Sequence, residues 1–313
     1  MSRSGPSHEK GTLMSYSPYY PFKSKQTKQD YTDYYNETAQ RIWPVPFENK
    51  IVDTDYGPTF IRVSGPVDAP PLVLLHGITA TSLMWAPNVL AWSQYFRIYA
   101  VDTINDYGLS INTKALLQKN DFMFWLDSLF TNLGLDRDIN LVGMSYGGWL
   151  TGQYALYHPE RLRKIVLLAP GDTVLQMDFR FLKLSALSAL FPGHYSQGLF
   201  QWLFADGLAH PERCAIKFDD FLHCLEMGFS CFKRRWFVPL SVLSQKDWNR
   251  LTMPILFIVG ENEKLYPADK ALTHLESVAP QVKSVLIPEA GHDLTVVQAD
   301  KVNEVVLKFL RSL

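Results

Sequence analysis

Apolar positions in this chain fall into short continuous runs separated by longer amphipathic stretches. KIVDT and TFIRVS read as two strands joined through the turn DYGP, an antiparallel start. PLVLLHG is an uninterrupted apolar run ending in glycine, the pattern of a short strand buried on both faces. Helical and strand-like runs then alternate. The helical stretch SLMWAPNVLAWSQ leads to the strand RIYAVD, and DFMFWLDSLFTNLG, ending at Gly134, leads to INLVG. A helix opening near Ser145 runs towards His158 and Pro159 and is followed by the strand KIVLLAP. The strand PILFIVG, the helix KALTHLESV, the strand KSVLIP and the helix ADKVNEVVLKFL complete the series. An antiparallel start followed by this alternation predicts an α/β fold with eight strands in a mainly parallel sheet.

The alternation breaks between Gly171 and Arg250. FRFLKLSALSALF, SQGLFQWLFAD, FDDFLHCLEMGF and RRWFVPLSVL are dense in Phe, Leu and Trp but contain no strand pattern. The expectation is a helical insertion over residues 171–250, packed over the end of the sheet, where it would exclude water and shape a pocket. The core is then 49–170 and 251–313, preceded by an N-terminal arm, 1–48. The arm should be flexible up to about residue 15, where no apolar period exists. Beyond that, its aromatic-rich portion should form a helix that stops before Pro44 and packs on the body of the protein.

With 313 residues, 47% of them hydrophobic, the chain can bury a large core. The formal charge is −1 and the basic residues are scattered, so the chain lacks the basic face of a nucleic-acid binder. Cys214, Cys224 and Cys231 are odd in number and lack CxxC spacing, which argues against a disulfide framework and a zinc site. They read as buried thiols in a reducing cytoplasm. The first twenty residues lack the apolar core of a signal peptide. FLKLSALSAL, the run nearest to a membrane span, is too short and carries Lys183. A cytoplasmic protein without membrane or nucleic-acid partners is expected.

Candidate chemistry centres on Gly143-Met144-Ser145-Tyr146-Gly147, a G-x-S-x-G pattern between a predicted strand and a predicted helix. A serine hydroxyl needs an adjacent base to be nucleophilic, and a sharp strand-to-helix turn is where such a serine can be presented. His292, in the loop after KSVLIP, is placed to be that base. His158 follows the elbow helix at its far end; His194, His210, His223 and His274 lie in the insertion or on helices, and His8 lies in the arm. The acid should follow the preceding strand, where GENEKLYP offers Glu263 and, less well placed, Glu261; Asp172, after KIVLLAP, is the competitor. Backbone N–H groups of Tyr146 and of Ile78, after LLHG, would form an oxyanion site. His76 in that loop reads as a brace rather than a base. Trp149, Phe181, Trp202 and Phe229 are candidates for an apolar substrate pocket, with core packing the alternative for each. The chemistry calls for no metal and no cofactor.

LLHG, AVD, GMSYGG, PILFIVGENE and AGH, in this order and spacing, resemble the α/β-hydrolase superfamily. YYNETAQRIWPV, PPLVLLHG, MWAPN and GENEKLYP make the chain more specifically similar to bacterial carboxylesterases of the naproxen-esterase type. The likeness runs from about Tyr34 to the C-terminus and is weakest in the insertion. It implies an α/β-hydrolase fold with a helical cap, Ser145, Glu263 and His292 as catalytic triad, and a small-molecule ester as substrate. C–C bond or lactone hydrolysis, perhydrolysis and a non-catalytic ligand-binding role are the alternatives on this fold. TINDYGLS, after AVD, and the bulky Tyr146 depart from the common pattern.

Overall fold

The computed structural model describes residues 20–191, 194–214, 217–235 and 237–312. The stretch expected to be flexible, and His8 with it, lies outside them. Eight strands form one sheet: β1 (Phe47–Val52), β2 (Thr59–Ser64), β3 (Pro71–Leu75), β4 (Arg97–Val101), β5 (Ile139–Met144), β6 (Leu162–Leu168), β7 (Ile255–Gly260) and β8 (Lys283–Ile287). Their order is β1-β2-β4-β3-β5-β6-β7-β8. β2 runs antiparallel to β1 and β4, and the remaining pairs are parallel.

The continuous apolar runs reflect burial on both faces. Val73 and Leu75 of β3 join one core with α3 (Lys119–Asn132), α4 (Tyr146–Tyr157) and α10 (Ala268–Val278). Leu72 and Leu74 point the other way, into a second core with α1 (Lys25–Ile42), α2 (Ala86–Trp92) and α12 (Ala299–Arg311). The period-two alternation of a strand divides its side chains between these layers. Because β4 lies on one side of β3 and β5 on the other, the chain reverses its direction of travel at β3. The loops after β3 and β5 therefore open side by side at the C-terminal end of the sheet, where α/β sheets bind ligands.

Between β6 and β7 the chain passes through α5 (Phe179–Leu190), α6 (His194–Leu203), α7 (Ala205–Ala209), α8 (Phe218–Cys231) and α9 (Gln245–Trp248). The N-terminal arm holds this segment. Phe22 pairs with Phe232 in an antiparallel bridge, and the backbone N–H groups of Lys23 and Lys233 donate to Cys231 O (2.8 Å) and Pro21 O (2.9 Å). The arm is also anchored in the core, since the Tyr35 hydroxyl donates to the buried Asp102 carboxylate at 2.9 Å. The arm's aromatics thus pack on the body of the protein, with Phe22, Tyr31 and Tyr35 buried. Burial raises the pKa of all three thiols, Cys214, Cys224 and Cys231. No helix among the described residues is long and apolar enough to cross a membrane.

Candidate active site

Ser145 sits between the last residue of β5 and the first of α4, with φ of +54° and ψ of −114°. A non-glycine residue held there stores backbone strain, of order 1–3 kcal/mol, that the surrounding structure must impose. The restraints are visible. Ser145 N–H donates to Leu168 O of β6 (2.9 Å), while its own carbonyl accepts from Gly171 (3.1 Å) and Trp149 (3.0 Å). A side chain at Gly147 would collide with the carbonyls of Leu75 and His76, and one at Gly143 with the carbonyl of Gly147. Both flanking glycines are therefore required by close backbone approach.

The loops after β7 and β8 are joined to each other. Glu261 N–H donates to Ile287 O and Asn262 N–H to Ala290 O, both at 2.9 Å. This pairing brings Glu263 beside His292, whose Nδ1 lies 3.0 and 3.1 Å from the two carboxylate oxygens. An ionised carboxylate only accepts, so Nδ1 carries the proton and Nε2 presents a lone pair. Nε2 lies 3.0 Å from Ser145 Oγ. Glu263 is oriented in turn by the N–H groups of Lys264 and Leu265, each at 2.8 Å from Oε1. The three side chains are nearly covered, at 8% (Ser145), 9% (Glu263) and 6% (His292) exposure, so the chain of hydrogen bonds is protected from competing water.

The other candidates lie elsewhere. Asp172 accepts from Met177 N–H at 2.6 Å and Glu261 from Glu289 N–H at 3.1 Å, and neither bonds His292. His76 is buried; its Nε2 accepts from Thr103 N–H (2.8 Å), which leaves Nδ1–H to donate to Gly77 O (2.8 Å). It braces the loop after β3. His158, His210 and His223 pair with Glu160, Glu212 and Glu226, and His274 borders a groove with Val174 and Val242. Nothing is described of the His194 side chain.

Gly77 lies against Ser145. Among the described residues, the backbone N–H of Ile78 and that of Tyr146, the first residue of α4, have no protein acceptor. Thr79 N–H is instead held by both oxygens of Asp106 at 3.0 and 3.1 Å, which fixes the loop from its far side. Asp106 also accepts from Tyr107 N–H at 2.7 Å and faces Arg235 Nη2 at 3.5 Å. Burial raises the Asp106 pKa in spite of these partners. The sequence reading missed Asp106 and Arg235; the one local signal was the unusual TINDYGLS stretch.

The four aromatics proposed for a pocket have separate surroundings. Trp149 is fully buried, stacks on Tyr146 with ring centroids 5.6 Å apart and donates to Ser241 O at 3.2 Å. Trp202 carries the Arg180 guanidinium 5.0 Å above its ring. Phe229 meets Tyr107 at 5.8 Å and Phe200 at 6.0 Å, and Phe181 packs half-buried against the α3–α4 core. A narrow crevice, with about 20 Å³ of space open to a water-sized molecule, borders the loop after β3, lined by Thr79, Thr81, Met84, Cys224 and Leu225 among others. No group of three or more His, Cys, Asp and Glu side chains suited to a metal ion occurs among the described residues.

Residues 72–305 match the Alpha/beta hydrolase family. The chain is 32% identical to an uncharacterized carboxylesterase, nap, of Bacillus subtilis, over 90% of this chain and 92% of that one. It is also 32% identical to the carboxylesterase YbfK of the same organism, over 86% and 90%. The crystal structure of naproxen esterase (carboxylesterase NP) from Bacillus subtilis superposes with a TM-score of 0.82 at 31% identity, covering 92% of this chain and all of that one.

Proposed function

Since the chain belongs to the Alpha/beta hydrolase family, we propose that it is a carboxylesterase working through a Ser145–His292–Glu263 triad. The observation that carries this reading is the continuous hydrogen-bonded line from Glu263 through both nitrogens of His292 to Ser145 Oγ. Similarity to two Bacillus carboxylesterases supports ester hydrolysis as the reaction.

Ser145 Oγ attacks the ester carbonyl while His292 Nε2 takes its proton. Glu263 holds the imidazole in the required tautomer and stabilises the imidazolium that forms. The oxyanion of the tetrahedral intermediate is received by the N–H groups of Ile78 and Tyr146, each such donor being worth about 3–4 kcal/mol in the transition state. The intermediate collapses, His292 returns the proton to the leaving alcohol, and an acyl-Ser145 ester remains. Water, deprotonated by His292, then hydrolyses it by the same steps in reverse. The positive φ of Ser145 aims Oγ out of the sheet, and the helices between β6 and β7 serve as a cap over residues 171–250 that limits water. The substrate is a small-molecule ester.

The test is turnover of a short-chain p-nitrophenyl ester by wild type and Ser145→Ala. A loss of about 10⁴-fold or more in kcat is expected for the variant. Equal activity in Ser145→Ala would remove Ser145 from the mechanism.

A further inference from the structure

Tyr146 and Arg235 share a property that the triad does not use. Tyr146 is 3% exposed, yet among the described residues its hydroxyl has no hydrogen-bond partner. The Arg235 side chain is likewise 3% exposed; Nη2 faces Asp106, while Nη1 has no hydrogen-bond partner among the described residues. A buried donor without an acceptor costs about 1–3 kcal/mol, so two of them in one neighbourhood call for a cause. Other unpartnered buried groups occur, but Arg62, for example, lies in the N-terminal layer among Tyr35, Trp43, Phe47 and Phe60.

Both side chains border Phe237: the Tyr146 and Phe237 ring centroids lie 6.0 Å apart, and Arg235 Cζ lies 6.0 Å from the Phe237 ring while resting closer over Tyr107 (4.0 Å) and Phe232 (5.0 Å). Asp106 connects them further, because its charge reaches the Tyr146 phenol as well as Arg235. The place is next to the reacting atoms, since Tyr146 follows Ser145 and Asp106 anchors Thr79 beside Ile78. Ile78, Thr79 and Phe237 are each half-buried.

We propose that the Tyr146 hydroxyl and Arg235 Nη1 form a polar subsite for an uncharged acceptor oxygen, a ketone, ester or ether oxygen, carried by the substrate away from its scissile ester. This rests on the esterase reading and specifies its substrate class. Arg235 Nη1 can only donate, and the Tyr146 hydroxyl has its proton free to donate beside it, so the pair suits an oxygen lone pair. Charge decides between a neutral oxygen and a carboxylate. Asp106 already balances Arg235, so a carboxylate would leave a net negative charge in a covered site, whereas a carbonyl or ether oxygen leaves the balance intact.

The experiment compares matched esters in two series. In the acyl series these are p-nitrophenyl valerate, levulinate and hemisuccinate; in the alcohol series, butyl and methoxyethyl acetate. Wild type should favour the oxygen-bearing ester of at least one series in kcat/KM by about tenfold, the worth of a hydrogen bond to a charged donor. Hemisuccinate should fall below levulinate. Tyr146→Phe and Arg235→Lys should each bring the preference back towards one. Tyr146→Phe should fold with an unchanged or raised Tm, since it deletes an unpartnered hydroxyl, so the test survives if Arg235→Lys folds poorly.

No preference in either series, a preference untouched by Tyr146→Phe, or hemisuccinate outrunning levulinate each overturns the proposal. Calorimetric binding of the same esters to Ser145→Ala reads the subsite without turnover. Selective binding there with no hydrolysis by wild type would sink the esterase reading and keep the subsite; hydrolysis without selectivity would do the reverse.

Discussion

The paired loops after β7 and β8 and the helices between β6 and β7 are neighbours held by different forces. The loops are fixed by backbone hydrogen bonds to each other at 2.9 Å, and the Glu263 and His292 side chains they carry are almost wholly covered. The helices are fixed by apolar side chains such as Leu199, Leu203 and Leu225, buried in the core of α3 and α4, by the arm that bridges Phe22 to Phe232 and by a few polar ties. One such tie runs from Gly207 N–H to Asp293 Oδ2 at 2.7 Å, another from Asn262 Nδ2 to Asp206 Oδ1 at 3.1 Å. Meanwhile Phe179, Leu190 and Phe191 remain exposed on or beside α5, at 78%, 61% and 59%. The contrast separates a part of the molecule where geometry must be reproduced within tenths of an ångström from one where apolar bulk suffices.

Three experiments probe that contrast, beginning with the largest effect. Glu263→Gln should lower kcat by about 10⁴-fold, because an amide no longer enforces the imidazole tautomer, while Asp172→Asn should stay far closer to wild type. Steady-state hydrolysis of a p-nitrophenyl ester ranks them, and the reverse order would hand the acid role to Asp172.

The second probe is Asp293, at the junction of the two regions. Burial, the largest cause, pushes its pKa up to about 6, against hydrogen bonds from Gly207 and Gly291 that pull it down. A carboxyl with a raised folded-state pKa binds more protons folded than unfolded, so its effect on stability is unfavourable as pH rises. The penalty is absent below the unfolded value near 4 and complete above about 6. Urea unfolding of wild type and Asp293→Asn should therefore diverge by about 2–3 kcal/mol in favour of Asn between those limits. Parallel pH profiles would show that the carboxyl is no less comfortable folded than unfolded.

The smallest effect is expected on the outer face of α5. Phe179→Ser should change stability by no more than about 0.5 kcal/mol in the same assay, since the ring already faces solvent. A larger loss would mean that this face is covered.

The same division explains what could be read from residues alone. PLVLLHG, INLVG and PILFIVG announce strands because burial on both faces forces an unbroken apolar run, and the structure has all eight expected strands. Ser145, His292 and Glu263 stand out because each follows such a strand at a short interval. The bridge from Phe22 to Phe232 left no trace, since it joins residues some two hundred positions apart through backbone atoms that any sequence supplies. Asp106 and Arg235 escaped for a related reason: an ion pair between distant loops has no local period. For Trp149 the sequence left pocket wall and core packing both open; what it could not supply is the partner, since the indole donates to the chain at Ser241, far along the sequence.

The backbone pairing of Glu261 with Ile287 and Asn262 with Ala290 has an evolutionary consequence. Lengthening either loop by one residue would break register with the other, so the two can change length only together. The stretch from Gly171 to Arg250 enters and leaves the sheet at β6 and β7 without passing through that pairing. On the proposed reading of the site, descendants of this chain can thus exchange that stretch for another and keep the same acid–base residues, so that new selectivity is acquired without rebuilding the reaction.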